Sequence, residues 1–276
     1  MIAAAYPSDY YSFHLSANFA KYEKSFWGNR YYSKLRTALS EEIQSRAADL
    51  GKQRPNDLFV LDYGAGDGFR LKMLAEMGFN KEHLTAYEPS LPQGLSMSES
   101  FETLIGQDFL RQTDKQFDLI YASHVIEHLE DPSILLQDSL RVMKENSILV
   151  IDMPVPEGVH FNLTRHHHWG GYHAPRHLNI LSVKGLESLA PRNNMTIVSV
   201  QYLDDSWIMA QTVNSMIEDQ AIRILPKFFR NAFAVTTKEK PTLEREVLYG
   251  FLSFLSKLQR VFDHKSSVAR ITLQKR

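Results

Sequence analysis

The sequence predicts an α/β protein with a mainly parallel sheet and helices on both faces. Three observations carry that expectation. From Asp57 to about Leu203, short apolar runs alternate with helix-period patterns, as strands and crossover helices do in a parallel sheet. The first apolar run ends in a glycine loop, Asp62-Tyr63-Gly64-Ala65-Gly66-Asp67-Gly68. Hydrophobic residues make up 43% of the 276, enough to core one large domain or a domain with an attached lobe.

Residues 1–55 read as an N-terminal helical cap. Leu35, Leu39, Ile43 and Ala47 recur at spacing four and mark one helix face. Gly51 suits the position just past a helix end, with Pro55 shortly after. Residues 56–204 read as the core. Leu58 to Leu61 is the first strand, Phe69 to Met77 a helix stopped by Gly78, and Leu84 to Tyr87 the second strand. Phe101 to Ile105 reads as a third and Phe117 to Ala122 as a fourth. Pro132 opens a helix running to about Met143, with Asp131 as its expected N-cap. Ile148 to Ile151 is the fifth strand; Ser182 begins another helix, and Thr196 to Leu203 alternates as a sixth strand. Residues 205–265 return to helical patterns with apolar faces, among them Ile217, Leu248, Phe251, Leu252 and Leu255, and read as a helical insertion. Residues 266–276 alternate Ala269, Ile271 and Leu273 against Arg270, Thr272 and Gln274, the signature of a final strand beside the sixth.

Charge and cysteine usage narrow the function classes. A net charge of −1 gives no global electrostatic reason to expect a nucleic-acid partner. Without cysteine there are no disulfides or thiolate metal sites, which suits a cytoplasmic location. The first residues lack a basic, then apolar, leader pattern. No run approaches the roughly 18 apolar residues of a membrane span.

The glycine loop carries the first chemistry. Glycines at every second position let the chain turn sharply and let a ligand approach backbone that a Cβ would cover. Backbone N–H groups and the next helix N-terminus then face that ligand. A tight strand-to-helix turn is the bland alternative. Glu88 tips the balance: it ends the second strand, 20 residues after Gly68. An acidic residue at that distance accepts hydrogen bonds from ribose hydroxyls in dinucleotide-binding folds.

In order along the chain, DYGAGDG (62–68), AYEPS (86–90), GQDF (106–109), FDLIYASHVIEHLEDP (117–132) and SLRVMKENSILVIDMP (139–154) resemble the motifs of class I methyltransferases that use S-adenosylmethionine (SAM). From the first to the last they span roughly a third of the chain. Lys144-Glu145-Asn146-Ser147 stands where relatives usually have Lys-Pro-Gly-Gly, a departure in a turn far from the ligand. The resemblance implies a Rossmann-like, mixed seven-stranded sheet with the last strand antiparallel, and SAM as cofactor. It implies that Asp62, Gly64, Gly66 and Gly68 form the cofactor loop. It further implies that Glu88 holds the ribose, that Asp108 and Phe109 meet the adenine, and that Ser123 or His124 lies near the sulfonium.

The stretch Trp169 to Asn179 (WGGYHAPRHLN) resembles a (G/W)-x-x-P-R-H-L segment of a methyltransferase subgroup associated with polysaccharide and small-molecule biosynthesis. It follows the fifth strand, and ligands of open α/β sheets bind beyond the carboxyl ends of strands. Arg176 is suited to an anionic substrate group, with Tyr172 and Trp169 beside it. His173 or His177 is suited to take a proton near neutral pH, with His124 the next candidate. His177 reads equally well as a loop brace, and His128 as a turn brace. The run His166-His167-His168 invites a metal, but consecutive residues point different ways and no HExxH motif accompanies it, so no metal is expected.

The reading is therefore a SAM-dependent methyltransferase acting on a small-molecule acceptor, a sugar or other biosynthetic intermediate, with the acceptor atom open. A non-catalytic SAM-binding module and an NAD(P)-dependent oxidoreductase are the alternatives. The glycine spacing and the EHLEDP segment argue against the latter. Nucleic-acid methylation lacks a basic patch and an NPPY-type motif after the fourth strand. The C-terminal helices are expected either to wall the acceptor pocket or to form a homodimer face.

Overall fold

The computed structural model describes residue 15 and residues 26–51, 54–89, 101–105, 110, 113–164, 167–173, 175–218 and 243–276. Its frame is a seven-stranded sheet in the order β3-β2-β1-β4-β5-β7-β6. The strands are β1 (Val60–Tyr63), β2 (Leu84–Glu88), β3 (Glu102–Ile105), β4 (Phe117–Ser123), β5 (Met143–Pro154), β6 (Met195–Tyr202) and β7 (Val268–Lys275). The pairs β1–β2, β1–β4, β2–β3 and β4–β5 are parallel. Strand β7 runs antiparallel to both β5 and β6. The terminal strand thus lies between the fifth and the sixth and separates them. Chain order reverses between β1 and β4, the place where open α/β sheets bind ligands.

Alternation divides the core into two layers. Leu61, Tyr63, Ile120, Ala122, Leu149 and Ile151 enter one cluster, while Val60, Leu119, Tyr121, Ile148 and Val150 enter the other. Successive side chains of a strand point to opposite faces, so the apolar runs of a doubly covered sheet feed both layers. The α1 helix (Phe26–Asp49) contributes Leu39, Ile43 and Ala47 to the second layer, with Leu35 packed against it. The α2 helix (Phe69–Glu76) adds Leu71, Met73 and Leu74 there. Leu135, Leu136 and Val142 of α3 (Ser133–Val142) fill the first layer. Farther on, α4 spans Val159–Thr164 and α5 spans Val183–Leu189, where the Ser182 hydroxyl accepts the Gly185 N–H at 3.0 Å as the predicted cap. Helices α6 (Ser206–Glu218) and α7 (Leu243–Asp263) join through Met209, Ala210, Leu248 and Leu252. No described helix is long and apolar enough to cross a membrane.

Several boundaries differ from the sequence reading, three of them with a visible physical cause. The first strand begins at Val60, because Phe59 is occupied elsewhere: its N–H donates to the Asp118 carboxylate at 2.9 Å. The α3 helix starts at Ser133, so Asp131 stands one residue outside the cap position. Its carboxylate still accepts the Ser133 N–H at 2.8 Å. Strand β5 begins at Met143 and contains the expected turn as a bulge: pairing jumps from Phe117↔Met143 to Leu119↔Ile148, and Asn146 has φ 59°. Within that bulge Lys144 pairs with Asp118 at 2.7 Å, tying it to the start of β4.

Candidate functional site

The loop after β1 is laced to the end of β2. Gly64 and Ala65 donate their N–H groups to the Tyr87 carbonyl at 2.8 and 3.1 Å. The Gly66 N–H donates to Glu88 Oε2 at 2.9 Å, and Glu88 is buried. Gly64 and Gly68 have φ of 74° and 77°, and a Cβ at either would collide, with Val125 Cγ2 at 2.5 Å and with Phe101 at 2.3 Å. Both conformation and crowding therefore demand glycine there. Asp62 is buried beneath the loop and pairs with Arg70 of α2 at 2.6 Å. Burial raises the Asp62 carboxyl above its ordinary value, against the pull of that guanidinium. These residues fit SAM: a buried carboxylate at the β2 end, beside a glycine loop at the place where chain order reverses, suits vicinal ribose hydroxyls.

One strand away, β4 ends in Ser123 and His124. His124 has φ 55° and donates its N–H to the Asp152 carbonyl of β5 at 2.8 Å. The Ser123 hydroxyl donates to Asp152 Oδ2 at 3.4 Å. A single 3-10 turn, Ile126–His128, follows. It buries Glu127, whose Oε1 lies 3.1 Å from His124 Nδ1. Because a carboxylate only accepts, Nδ1 carries the proton and Nε2 the lone pair. Burial disfavours charge on His124, but the Glu127 carboxylate outweighs it and lifts the imidazole above its ordinary value.

The loop after β5 docks onto this turn. Leu178 and Asn179 donate their N–H groups to the Glu127 carbonyl at 2.7 and 3.1 Å. His128 Nδ1 donates to the Arg176 carbonyl at 3.0 Å, and His177 Nδ1 to the Gly171 carbonyl at 2.7 Å. The rings of His128 and His177 meet edge to face at 4.8 Å, and those of His173 and His177 at 5.0 Å. Burial, and then the neighbouring cations, push His173 down to about 4; burial likewise brings His177 to about 4. His173 has φ 34°, and its Nε2 accepts from Arg176 Nη1 at 3.5 Å.

The structure thus brings His124, His173, Arg176 and His177 together. Trp169 lies inside the loop's own core, between Phe161 and Tyr172, with Nε1 donating to Ser267 Oγ at 3.2 Å. Gly170 and Gly171 are close-packed around it: a Cβ would meet Ile208 O at 2.5 Å or the Trp169 ring at 2.3 Å. Asp108 and Phe109 lie outside the described residues. Sequence reasoning passed over Glu127 and Asp152, the two carboxylates that organise the strand ends. The only sequence signal for Glu127 is its place three residues after His124. Asp152 had none beyond ending a strand.

Comparison with known proteins identifies the family. The family described as "Methyltransferase domain" matches residues 30–200. Two ubiquinone biosynthesis O-methyltransferases, from Rickettsia bellii strains OSU 85-389 and RML369-C, are each 28% identical over 117 residues. That stretch is 40% of this chain and 46% of theirs, so the match spans about half the length of these relatives. A solved structure described as a sarcosine dimethylglycine methyltransferase, from Galdieria sulphuraria, shares the fold. Its TM-score is 0.52 at 15% identity, over 89% of this chain and 87% of that one. With more than half of its residues matched by the family, and the sheet order and glycine loop described above, this chain belongs to the methyltransferase-domain family.

Proposed function

We propose that the protein methylates a hydroxyl oxygen of a small-molecule biosynthetic intermediate, such as a sugar, with His124 as the base. The carrying observation is the His124–Glu127 pair at the end of β4. When bound, SAM supplies a methyl group already activated on a sulfonium. What the chain must add is alignment, exclusion of water and a place for the acceptor's proton. Glu127 holds the His124 ring by Nδ1 and leaves Nε2 to accept that proton, the arrangement that activates hydroxyls in many enzymes. His173 and His177, the other candidates, sit well below neutral and are weaker proton acceptors.

In this reading Asp62, Gly64, Gly66 and Gly68 shape the loop for the methionine part of the cofactor, and Glu88 holds the ribose. Asp108 and Phe109 serve the adenine, and Ser123 stands near the reacting end. Arg176, Tyr172 and His173 form the acceptor side, and Trp169 holds that loop rigid. Helix α6 walls it: Trp207 meets the His173 ring at 5.9 Å, and Thr212 Oγ1 accepts the Gly170 N–H at 2.8 Å. A homodimer would use the face of α7 that exposes Phe251, Phe254 and Phe262, which sedimentation checks.

The test is turnover with methyl-labelled SAM over a panel of hydroxyl, amine and carbon acceptors. His124→Ala should cut turnover on the true acceptor by about 10²–10⁴, the usual worth of a general base, and leave S-adenosylhomocysteine affinity unchanged. Wild-type turnover in that variant would move the base elsewhere.

A further inference from the structure

Glu127 has two carboxylate oxygens and only one of them is used. Oε1 faces His124, while Oε2 is buried without a hydrogen-bond partner among the described residues. The whole residue is 2% exposed. A buried anionic oxygen without a donor is costly, so it calls for a cation or a donor from outside the chain.

The groups around it are set up for a cation. One ligating atom each from Glu127, His128 and His177 lies within 4.8 Å of the others. Both imidazoles give their Nδ1 hydrogen to a backbone carbonyl, of Arg176 and of Gly171. In the neutral ring that fixes the lone pair on Nε2. Metal-bound histidines are almost always held this way by their second nitrogen. Ring packing between His128 and His177 accounts for their contact but gives Glu127 Oε2 nothing.

We infer that Glu127 Oε2 and the Nε2 atoms of His128 and His177 form a binding site for one divalent cation of the Zn2+ class. Two imidazoles and one carboxylate suit zinc, and three protein ligands leave a coordination position open, as catalytic rather than structural zinc sites do. Atoms sharing a tetrahedral zinc ion stand roughly 3.3–3.6 Å apart, so the gaps here close by at most about 1.5 Å on binding. The site joins two elements about 50 residues apart, and the Glu127 carbonyl, by accepting Leu178 and Asn179, locks them in register. Its open position suits an acceptor oxygen beside His124. That assignment rests on the methyltransfer reading; the cation site does not.

The experiment uses the full chain, stripped with chelator, and titrates Zn2+ and S-adenosylhomocysteine separately by calorimetry, with Co2+ absorption reporting the ligands. One equivalent of Zn2+ should bind, and Co2+ should give a low-symmetry visible spectrum. His177→Ala and Glu127→Gln should each weaken Zn2+ by more than about 100-fold, beyond the usual cost of losing an outer-shell partner. His177→Ala, whose residue is half-buried, serves if the Glu127 variant does not fold. No saturable Zn2+ binding to the wild type, or undiminished binding in a folded His177→Ala, overturns the site. Zn2+ binding without S-adenosylhomocysteine binding would uphold the cation site and count against the donor reading; the reverse would overturn the site alone.

Discussion

Arg270 of the last strand grips Asp152 of the fifth through two parallel hydrogen bonds, Nε to Oδ1 at 2.6 Å and Nη2 to Oδ2 at 2.7 Å. Arg270 also pairs with Glu42 of α1. Asp152 in turn accepts from Ser123 and, by its carbonyl, from His124. The far end of the chain therefore helps to place the two residues at the end of β4. Both partners are largely buried, and removing one leaves the other's charge without compensation. Arg270→Ala should destabilise the protein by about 3–5 kcal/mol, read from urea unfolding. A loss below about 1 kcal/mol would show that water already screens this pair.

The pH dependence of stability has a definite sign. Burial opposes ionisation of Asp152 and Glu157, but hydrogen bonds from Arg270 to the first, and from Tyr202 and Lys265 to the second, hold both below ordinary carboxylate values. The unfolded chain then binds more protons in acid. The stabilisation is complete above about pH 4–5 and is lost as pH falls through the folded-state values. Unfolding midpoints taken from pH 7 to pH 3 should fall, and Glu157→Gln should make the decline shallower. An unchanged slope would exclude Glu157 as a contributor.

Glu88→Ala should weaken SAM binding by about 1.5–3 kcal/mol, the scale for losing hydrogen bonds to a charged group. Calorimetry decides this. Unchanged affinity would remove Glu88 from the ribose role and leave it as a brace of the Gly66 N–H.

Gly64→Ala carries two separable costs. A left-handed φ of 74° costs an L-residue roughly 1–2 kcal/mol, and the Cβ collides with Val125 Cγ2. The double variant Gly64→Ala/Val125→Ala should recover the collision and keep the conformational cost. If Val125→Ala recovers nothing, the backbone alone sets the requirement for glycine.

Deleting residues 269–276 should destabilise the whole sheet, because β7 is hydrogen-bonded on both sides and buries Ala269, Ile271 and Leu273. Leu273→Ala, a milder change, should cost about 2–5 kcal/mol. A truncated protein melting at the wild-type temperature would contradict a strand held between β5 and β6.

By itself the sequence determined what is encoded locally. Alternation of Ala269, Ile271 and Leu273 with polar neighbours names a strand, because strand side chains repeat every two residues. Gly64, Gly66 and Gly68 after an apolar run name a ligand loop, because only glycine tolerates such backbone. The position of β7 between β5 and β6, the role of Trp169 as the loop's anchor, and the meeting of Glu127 with His124, His128 and His177 were decided by tertiary structure alone. Those relations join residues one to more than a hundred positions apart, through carbonyls and buried carboxylates that leave no periodic trace. Glu127 in a solvated turn would be one more surface acid. It becomes a partner for histidines only because the loop after β5 folds over it, and because burial makes an unshared oxygen costly.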